Sequence, residues 1–125
     1  LVHPDVQPKY GMLGTTFGGN HLACTASLAV LEILKKDKLQ QHAKEMEFYF
    51  RSRAEKIEDT NIKGRGLMLG LEFDFEVGPL RKKLIYEKKI FTGGSSNKNV
   101  LRILPPLTVQ KEHFDQFFDA LEALL

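Results

Sequence analysis

Two hydroxyl residues and a glycine pair stand directly before a helical pattern in the stretch GTTFGGNHLAC, residues 14–24. A phosphate beside a helix start is stabilised by unpaired backbone amides and by the positive end of the helix dipole. The two threonines would add hydroxyl donors, and the glycines would leave room for a close approach. The spacing matches neither the P-loop nor the dinucleotide-binding pattern. A tight turn with a helix cap at Asn20 is therefore the simpler interpretation of the pattern alone.

Arg102 is the second residue that could bind a ligand. In the stretch VLRIL it shares a strand face with Val100 and Leu104, which predicts a partly apolar setting for its guanidinium. The planar fork of an arginine matches a carboxylate bidentately. From the pattern alone, a structural ion pair or an edge strand with that face in water remain alternatives.

Cysteine, histidine and lysine give weaker signals. Cys24 lies among small and apolar residues at helical spacing, so the pattern favours a buried side chain over a nucleophile. A single cysteine excludes an internal disulfide and is typical of a reducing compartment. The histidines show no metal-ligand spacing, and no lysine stands in an apolar pattern suited to Schiff-base chemistry. The pattern thus predicts no metal site and no catalytic residue.

The composition is that of an ordinary soluble domain. The chain has 125 residues, 42% hydrophobic and 27% charged, with a formal net charge of +2. This charge is too small to indicate nucleic-acid binding, and the apolar runs are too short to span a membrane. Residues 1–19 contain two prolines early on and no clear periodicity, which predicts a connecting segment ahead of a domain at 20–125. The start at Leu1 suggests a fragment of a larger protein.

Four helices and three strands are expected in the domain. Apolar residues recur at steps of three and four from Asn20 to Leu34 and again from Leu39 to Ile57, with a break near Asp37. A third helix is expected after Gly78-Pro79. Thr108 is expected to cap a terminal helix with an apolar stripe, consisting of Phe114, Phe117, Phe118, Leu121, Leu124 and Leu125.

The strands follow from alternation. KGRGLMLGLEFDF alternates apolar and other residues and predicts one long strand. IFTGGSSN predicts a short strand that leads into a flexible turn, and NVLRILPPL predicts a second short strand stopped by Pro105-Pro106. Because strands and helices do not alternate strictly, the expected fold class is α/β of the α+β type. It would consist of a small antiparallel or mixed sheet covered by helices.

Taken together, GTTFGGNHLACTASLAVLEIL, KGRGLMLGLEF and NVLRILPPL resemble the carboxy-terminal part of class III aminotransferases. These are fold type I pyridoxal phosphate enzymes, and the similarity is greatest to members that act on N-acetylornithine or N-succinylornithine. The resemblance covers almost the whole chain. It departs from the family at His21, where proline is usual, and at Leu13, where histidine is frequent.

The resemblance implies roles for two residues. Thr16 matches the threonine that reaches across a homodimer interface to the cofactor phosphate bound by the other subunit. Arg102 matches the arginine that anchors the carboxylate of the amino acid or 2-oxo acid. The Schiff-base lysine of the family lies upstream of the matched region, so the chain would be a catalytically inert C-terminal small domain.

The implied activity of the intact enzyme is transfer of the terminal amino group of an N-acylornithine to 2-oxoglutarate, in arginine biosynthesis in the cytoplasm. Ornithine, 4-aminobutyrate and other omega-amino donors remain open within the family. A non-catalytic α/β ligand-binding module is the alternative from a different class.

Overall fold

The computed structural model describes residues 3–7, 9–12 and 14–125, so the departure at position 13 lies outside the described residues. Four helices and three strands are present in the described part. In chain order they are α1 (His21–Lys36), α2 (Leu39–Ala54), β1 (Asn61–Arg65), β2 (Met68–Glu72), α3 (Gly78–Tyr86), β3 (Val100–Ile103) and α4 (Lys111–Glu122).

The first two helices begin where the sequence predicts, but α2 ends at Ala54, three residues before the predicted Ile57. The Asn20 side chain accepts a hydrogen bond from the amide of Ala23 at 2.9 Å, which confirms the predicted cap. Between α1 and α2 the backbone of Lys38 adopts a left-handed conformation with φ of 50°. An α-helix cannot continue through this conformation, so the break near Asp37 separates two helices.

The prediction of one long strand is wrong, because the segment contains a hairpin. Strands β1 and β2 pair in antiparallel fashion, with Arg65 opposite Met68, and residues 66–67 form the turn. Gly66, at φ of 55°, takes the first position of this two-residue loop, where a glycine at positive φ matches the twist of the strands. The alternation itself is confirmed from Leu67 to Phe73, whose apolar members are buried, whereas Phe75 is exposed.

The region of the second predicted strand forms only an isolated bridge. Gly93 pairs with Arg102 alone, and the residues around it lie outside regular strands. Two adjacent glycines favour an irregular path over a ladder, so the short strand predicted at the start of IFTGGSSN is wrong, and the segment is irregular from its beginning. The neighbouring predictions are confirmed, since α3 starts at Gly78-Pro79 and β3 spans Val100–Ile103.

The cap of the terminal helix lies two residues later than predicted. Thr108 is part of a turn, and Gln110 is the N-cap of α4. A reciprocal capping box joins Gln110 to His113, whose Nδ1 accepts the Gln110 N–H at 3.0 Å. The turn allows Val109, which precedes the cap, to be buried.

One hydrophobic core is formed between the sheet and helices α2, α3 and α4. The strand order is β1-β2-β3, entirely antiparallel, which confirms the expected fold class. The sheet contributes the inward side chains of Leu69, Leu71, Leu101 and Ile103. The ring of Phe50 in α2 packs against α4, with centroids 5.3 Å from Phe114 and 5.0 Å from Phe118.

Polar contacts join α2 and α4 beside this core. The Tyr49 hydroxyl donates to Asp115 at 2.5 Å, and Arg53 pairs with Asp115 and, at 3.1 Å, with Asp119. The carboxylates of Asp115 and Asp119, one turn apart on α4, thus bind the guanidinium of Arg53 and the hydroxyl of Tyr49 on α2. These contacts fix the axial register of the two helices.

Helix α1 differs from the expectation of a buried apolar side. It packs against α2, but none of its residues is buried, and Cys24 is exposed. The prediction that Cys24 is buried is therefore wrong for this chain, because the rest of α1 has no described element against it. The large apolar side chains exposed on α1 are Leu22, Leu28, Val30, Leu31 and Ile33. None of the described helices is long and apolar enough to cross a membrane.

Candidate functional site

Arg102 lies on β3, at one edge of the sheet. Its neighbours Leu101 and Ile103 point into the core, so alternation turns the Arg102 side chain to the opposite face. There it is exposed, next to Leu104, which is 59% exposed, and half-buried Val100. The predicted shared face with Val100 and Leu104 is present, but it is open rather than buried.

The guanidinium of Arg102 has no carboxylate partner among the described residues. Arg51 donates to Glu47 of its own helix, Arg53 donates to Asp115 of α4, and Arg81 donates to the carbonyl of Thr92. For the side chain of Arg102, the described part of the chain supplies neither a hydrogen bond nor an ion pair. This excludes the structural ion pair as an explanation within the described chain, and it leaves the donors of the fork available to a ligand.

A cleft of about 360 Å³ opens beside Arg102. It lies between residues 90–93 and helix α4, and the first part of α4 lines it through His113, Phe114 and Phe117. Its lining is mainly apolar and includes Ile90, Phe91, Leu104, Pro105, Val109 and Phe114. His113 also lines the cleft, but its Nδ1 is occupied by the Gln110 amide. The cleft thus offers one cation and a largely apolar wall.

The sheet that carries Arg102 is attached to α2 through Glu47. One carboxylate oxygen accepts the Gly66 amide in the hairpin turn at 2.6 Å, and the other accepts from Arg51 at 2.9 Å. Arg51 in turn donates to the carbonyl of Gly64 at 2.7 Å. Burial raises the pKa of Glu47, but the Gly66 amide and the Arg51 guanidinium lower it by more, so the pKa lies below its ordinary value. The hairpin is therefore held by an ionised carboxylate.

Thr16 lies in an exposed turn directly before α1. The side-chain amide of Asn20 donates to the carbonyl of Phe17 at 2.6 Å while its oxygen caps the helix, so one side chain fixes both the turn and the helix start. The predicted turn and the predicted cap at Asn20 are therefore both present. In the described structure the Thr16 hydroxyl has no hydrogen-bond partner, which fits a single contact to an external acceptor such as a phosphate oxygen.

The two predicted site residues are not brought together by described contacts. Thr16 precedes α1, Arg102 lies on the sheet, and neither a hydrogen bond nor an ion pair joins them within residues 14–125. Every lysine of the chain is exposed. One residue that sequence reasoning missed is Gly93, which bridges to Arg102. Its only signal was the glycine pair in IFTGG.

The chain matches the family model described as aminotransferase class-III over residues 3–125. It is 41% identical over 115 residues to an acetylornithine aminotransferase of Aquifex aeolicus, covering 92% of this chain and 30% of the relative. It is 36% identical over 118 residues to an ornithine aminotransferase of Exiguobacterium, covering 92% of this chain and 29% of the relative. The chain thus spans about three tenths of the length of the curated relatives that it matches.

Solved structures show the same fold. An ornithine aminotransferase from Toxoplasma gondii superposes with a TM-score of 0.77 at 29% identity, covering 94% of this chain and 30% of that one. An acetylornithine aminotransferase from Elizabethkingia anophelis gives a TM-score of 0.73 at 26% identity, covering 95% and 33%. Almost the whole chain thus shares its fold with a part of these longer chains.

Proposed function

Because the chain belongs to the class III aminotransferase family, we propose that it forms the C-terminal domain, residues 20–125, of an aminotransferase in which Arg102 binds the substrate carboxylate. Residues 1–19 would be the connecting segment that carries the phosphate loop. The observation that carries this proposal is the exposed guanidinium of Arg102, which has no anionic partner among the described residues. Arg102 also lies at a cleft where a ligand has access.

Class III aminotransferases are pyridoxal phosphate enzymes. The bound cofactor supplies an electron sink for cleavage of bonds at the amine-bearing carbon. This chain would contribute binding and orientation rather than the reacting groups, since every lysine is exposed and none is enclosed beside the cleft. Two parallel N–H donors of Arg102 would fix the plane of a carboxylate. Fixing that plane sets the direction of the carbon next to it, and such alignment accounts for much of the rate in positioned reactions.

Thr16 would meet the cofactor phosphate of the partner subunit in a homodimer. Its exposed hydroxyl and the turn fixed by Asn20 support this role. If Thr16 serves the site of the partner subunit, it need not lie near Arg102 of its own subunit, which agrees with the absence of described contacts between these two residues. The unpacked apolar side of α1, which follows Thr16 directly, is compatible with a covered position in the whole protein.

We further propose an N-acylornithine as amino donor and 2-oxoglutarate as acceptor, which would place the enzyme in arginine biosynthesis in the cytoplasm. The acetylornithine aminotransferase of Aquifex aeolicus, at 41% identity, supports this donor. Ornithine itself is the second candidate, favoured by ornithine aminotransferases at 36% identity from several bacteria. The donor panel that separates them is N-acetylornithine, N-succinylornithine, ornithine and 4-aminobutyrate, each with 2-oxoglutarate.

The carboxylate role is tested by Arg102→Lys in the full-length protein loaded with pyridoxal phosphate. Lysine keeps the charge but loses the bidentate fork, which removes about 1.5–3 kcal/mol of charge-assisted hydrogen bonding. The KM for 2-oxoglutarate should therefore rise by about 10- to 150-fold, with little change in the thermal midpoint.

Arg65→Lys is the matched control, because Arg65 is exposed on β1 at the other edge of the same sheet. It should leave KM unchanged. Equal effects of the two substitutions, or a loss of stability in Arg102→Lys that parallels the loss of activity, would contradict the proposed carboxylate site.

A further inference from the structure

The backbone of Gly93 is paired with the backbone of Arg102. The Gly93 amide donates to the Arg102 carbonyl at 2.8 Å, and the Arg102 amide donates to the Gly93 carbonyl at 3.0 Å. In such a doubly hydrogen-bonded antiparallel pair, the two side chains project to the same side. The side of Gly93 that would carry a side chain therefore faces the side chain of Arg102.

The Arg102 guanidinium occupies the space that a β-carbon of residue 93 would fill. A β-carbon built on Gly93 would lie 2.6 Å from Nε, 3.0 Å from Nη2 and 3.2 Å from Cζ of Arg102. Ordinary contact between such atoms begins at roughly 3.5 Å. Any residue other than glycine at this position would displace the guanidinium by about 1 Å from its present place.

The backbone conformation at position 93 does not itself require a glycine. The glycines with positive φ in the described chain are Gly11, Gly19, Gly64 and Gly66. Gly93 is not among them, so its φ lies outside the left-handed region that disfavours residues with a side chain. A substitution of Gly93 would thus act mainly by filling the space that the Arg102 guanidinium occupies.

We infer that Gly93 is a positioning residue for the substrate carboxylate: its missing side chain lets the Arg102 guanidinium lie directly on the backbone at residue 93. This inference rests on the proposed function, in which Arg102 binds that carboxylate. Contact with the backbone limits the directions that the exposed side chain can take. Less freedom is then lost when a carboxylate is bound, and the fork is presented in one orientation.

The adjacent residue, Gly94, supplies a matched control on the other side of the same segment. A β-carbon built there would lie 3.1 Å from Nη1 of Arg81, and no atom of Arg102 is among its nearest neighbours. Arg81 donates to the Thr92 carbonyl at 3.1 Å, so it holds the segment from the side away from Arg102. Gly94→Ala therefore makes the same chemical change against a different arginine.

The experiment compares Gly93→Ala and Gly94→Ala in the full-length protein loaded with pyridoxal phosphate. We expect Gly93→Ala to raise the KM for 2-oxoglutarate and the inhibition constant of glutarate, a dicarboxylate that cannot react, by about tenfold or more. The thermal midpoint of Gly93→Ala should stay close to that of the unsubstituted protein. Gly94→Ala should change both binding constants by less than about twofold.

Combining Gly93→Ala with Arg102→Lys separates positioning from a general effect on the site. A lysine has no guanidinium over residue 93, so Gly93→Ala should add little to the loss already caused by Arg102→Lys. Additive losses, or equal losses in Gly93→Ala and Gly94→Ala, would overturn the inference while leaving Arg102 as the carboxylate ligand. If Arg102→Lys itself leaves carboxylate binding unchanged, the proposed function fails instead.

Discussion

Glu47 should stabilise the hairpin in a way that depends on its charge. Its carboxylate accepts from the Gly66 amide at 2.6 Å and from Arg51 at 2.9 Å. Glu47→Gln keeps the shape and one acceptor oxygen but removes the charge and one of these acceptors. Because a hydrogen bond to a charged group contributes about 1.5–3 kcal/mol, we expect the free energy of unfolding at neutral pH to fall by about this amount.

The pH dependence gives this prediction its sign. The pKa of Glu47 is lowered in the folded chain from an ordinary value of 4.5. A carboxyl whose pKa is lowered by folding contributes stability that is complete above its unfolded-state pKa and is lost as the pH falls through its folded-state pKa. The stability difference between the unsubstituted chain and Glu47→Gln should therefore be largest near neutral pH and shrink below about pH 4.5.

The assay is urea unfolding followed by far-ultraviolet circular dichroism at several pH values between about 3 and 7. Glu45→Gln is the control, because Glu45 is an exposed residue of the same helix whose side chain contacts Gln41 of the same helix. It should cost less than about 0.5 kcal/mol. A difference for Glu47→Gln that stays constant down to pH 3, or a control that costs as much, would refute the role of the ionised carboxylate.

Two further predictions concern the hairpin and the loop before α1. Gly64→Ala should destabilise the chain by about 3 kcal/mol or more, because φ is 91° and a β-carbon would lie 1.9 Å from the Met68 carbonyl oxygen. Gly66 has φ of 55°, but a β-carbon built on it would have no neighbouring atom within 4 Å. Gly66→Ala should therefore lower the free energy of unfolding in urea by only about 1–2 kcal/mol, and equal losses for Gly64→Ala and Gly66→Ala would argue against the steric explanation. In the full-length protein Thr16→Val should weaken retention of pyridoxal phosphate by about tenfold, measured by visible absorbance after dialysis, while Thr15→Val should not. Unchanged retention in Thr16→Val would remove the phosphate role of Thr16.

Helix positions could be predicted because their signals are local. Asn20 caps α1 through a contact three residues away, and Pro79 stands in the first turn of α3. Both interactions depend on sequence neighbours, which a pattern contains. The cap of α4 was misplaced because Thr108 and Gln110 both precede the apolar stripe. Only the turn that buries Val109 decides between them.

The hairpin was hidden because its apolar alternation passes through the turn without interruption. Leu67 in the turn and Leu69 in β2 are both buried, so every second residue is still buried at the point where the chain reverses direction. The glycines at 64 and 66 were the only local signal of reversal, and both have positive φ. An alternating pattern indicates which side of a strand faces the core, but it does not indicate where the strand ends.

The sequence predicted the strand face on which Arg102 lies, but not the surroundings of its side chain. Alternation in VLRIL correctly placed Arg102 on the face opposite the core residues Leu101 and Ile103. Its exposure, the cleft beside it and its contact with Gly93 depend on tertiary arrangement. A bridge that spans the six loop residues 94–99 cannot be inferred from local periodicity, because the loop conformation determines which residue reaches the strand.

The packing of Phe50 against α4 has a consequence for the order in which the chain folds. Tyr49 and Asp115, which lie beside that contact, are separated by 66 residues of sequence. Contacts between such distant residues are formed late, since the entropy of loop closure is lost before they contribute any stability. During synthesis, α2 and the hairpin would remain with open apolar surfaces until α4 has been added. That nascent intermediate is the species in which this sequence would be most exposed to aggregation and to chaperone binding.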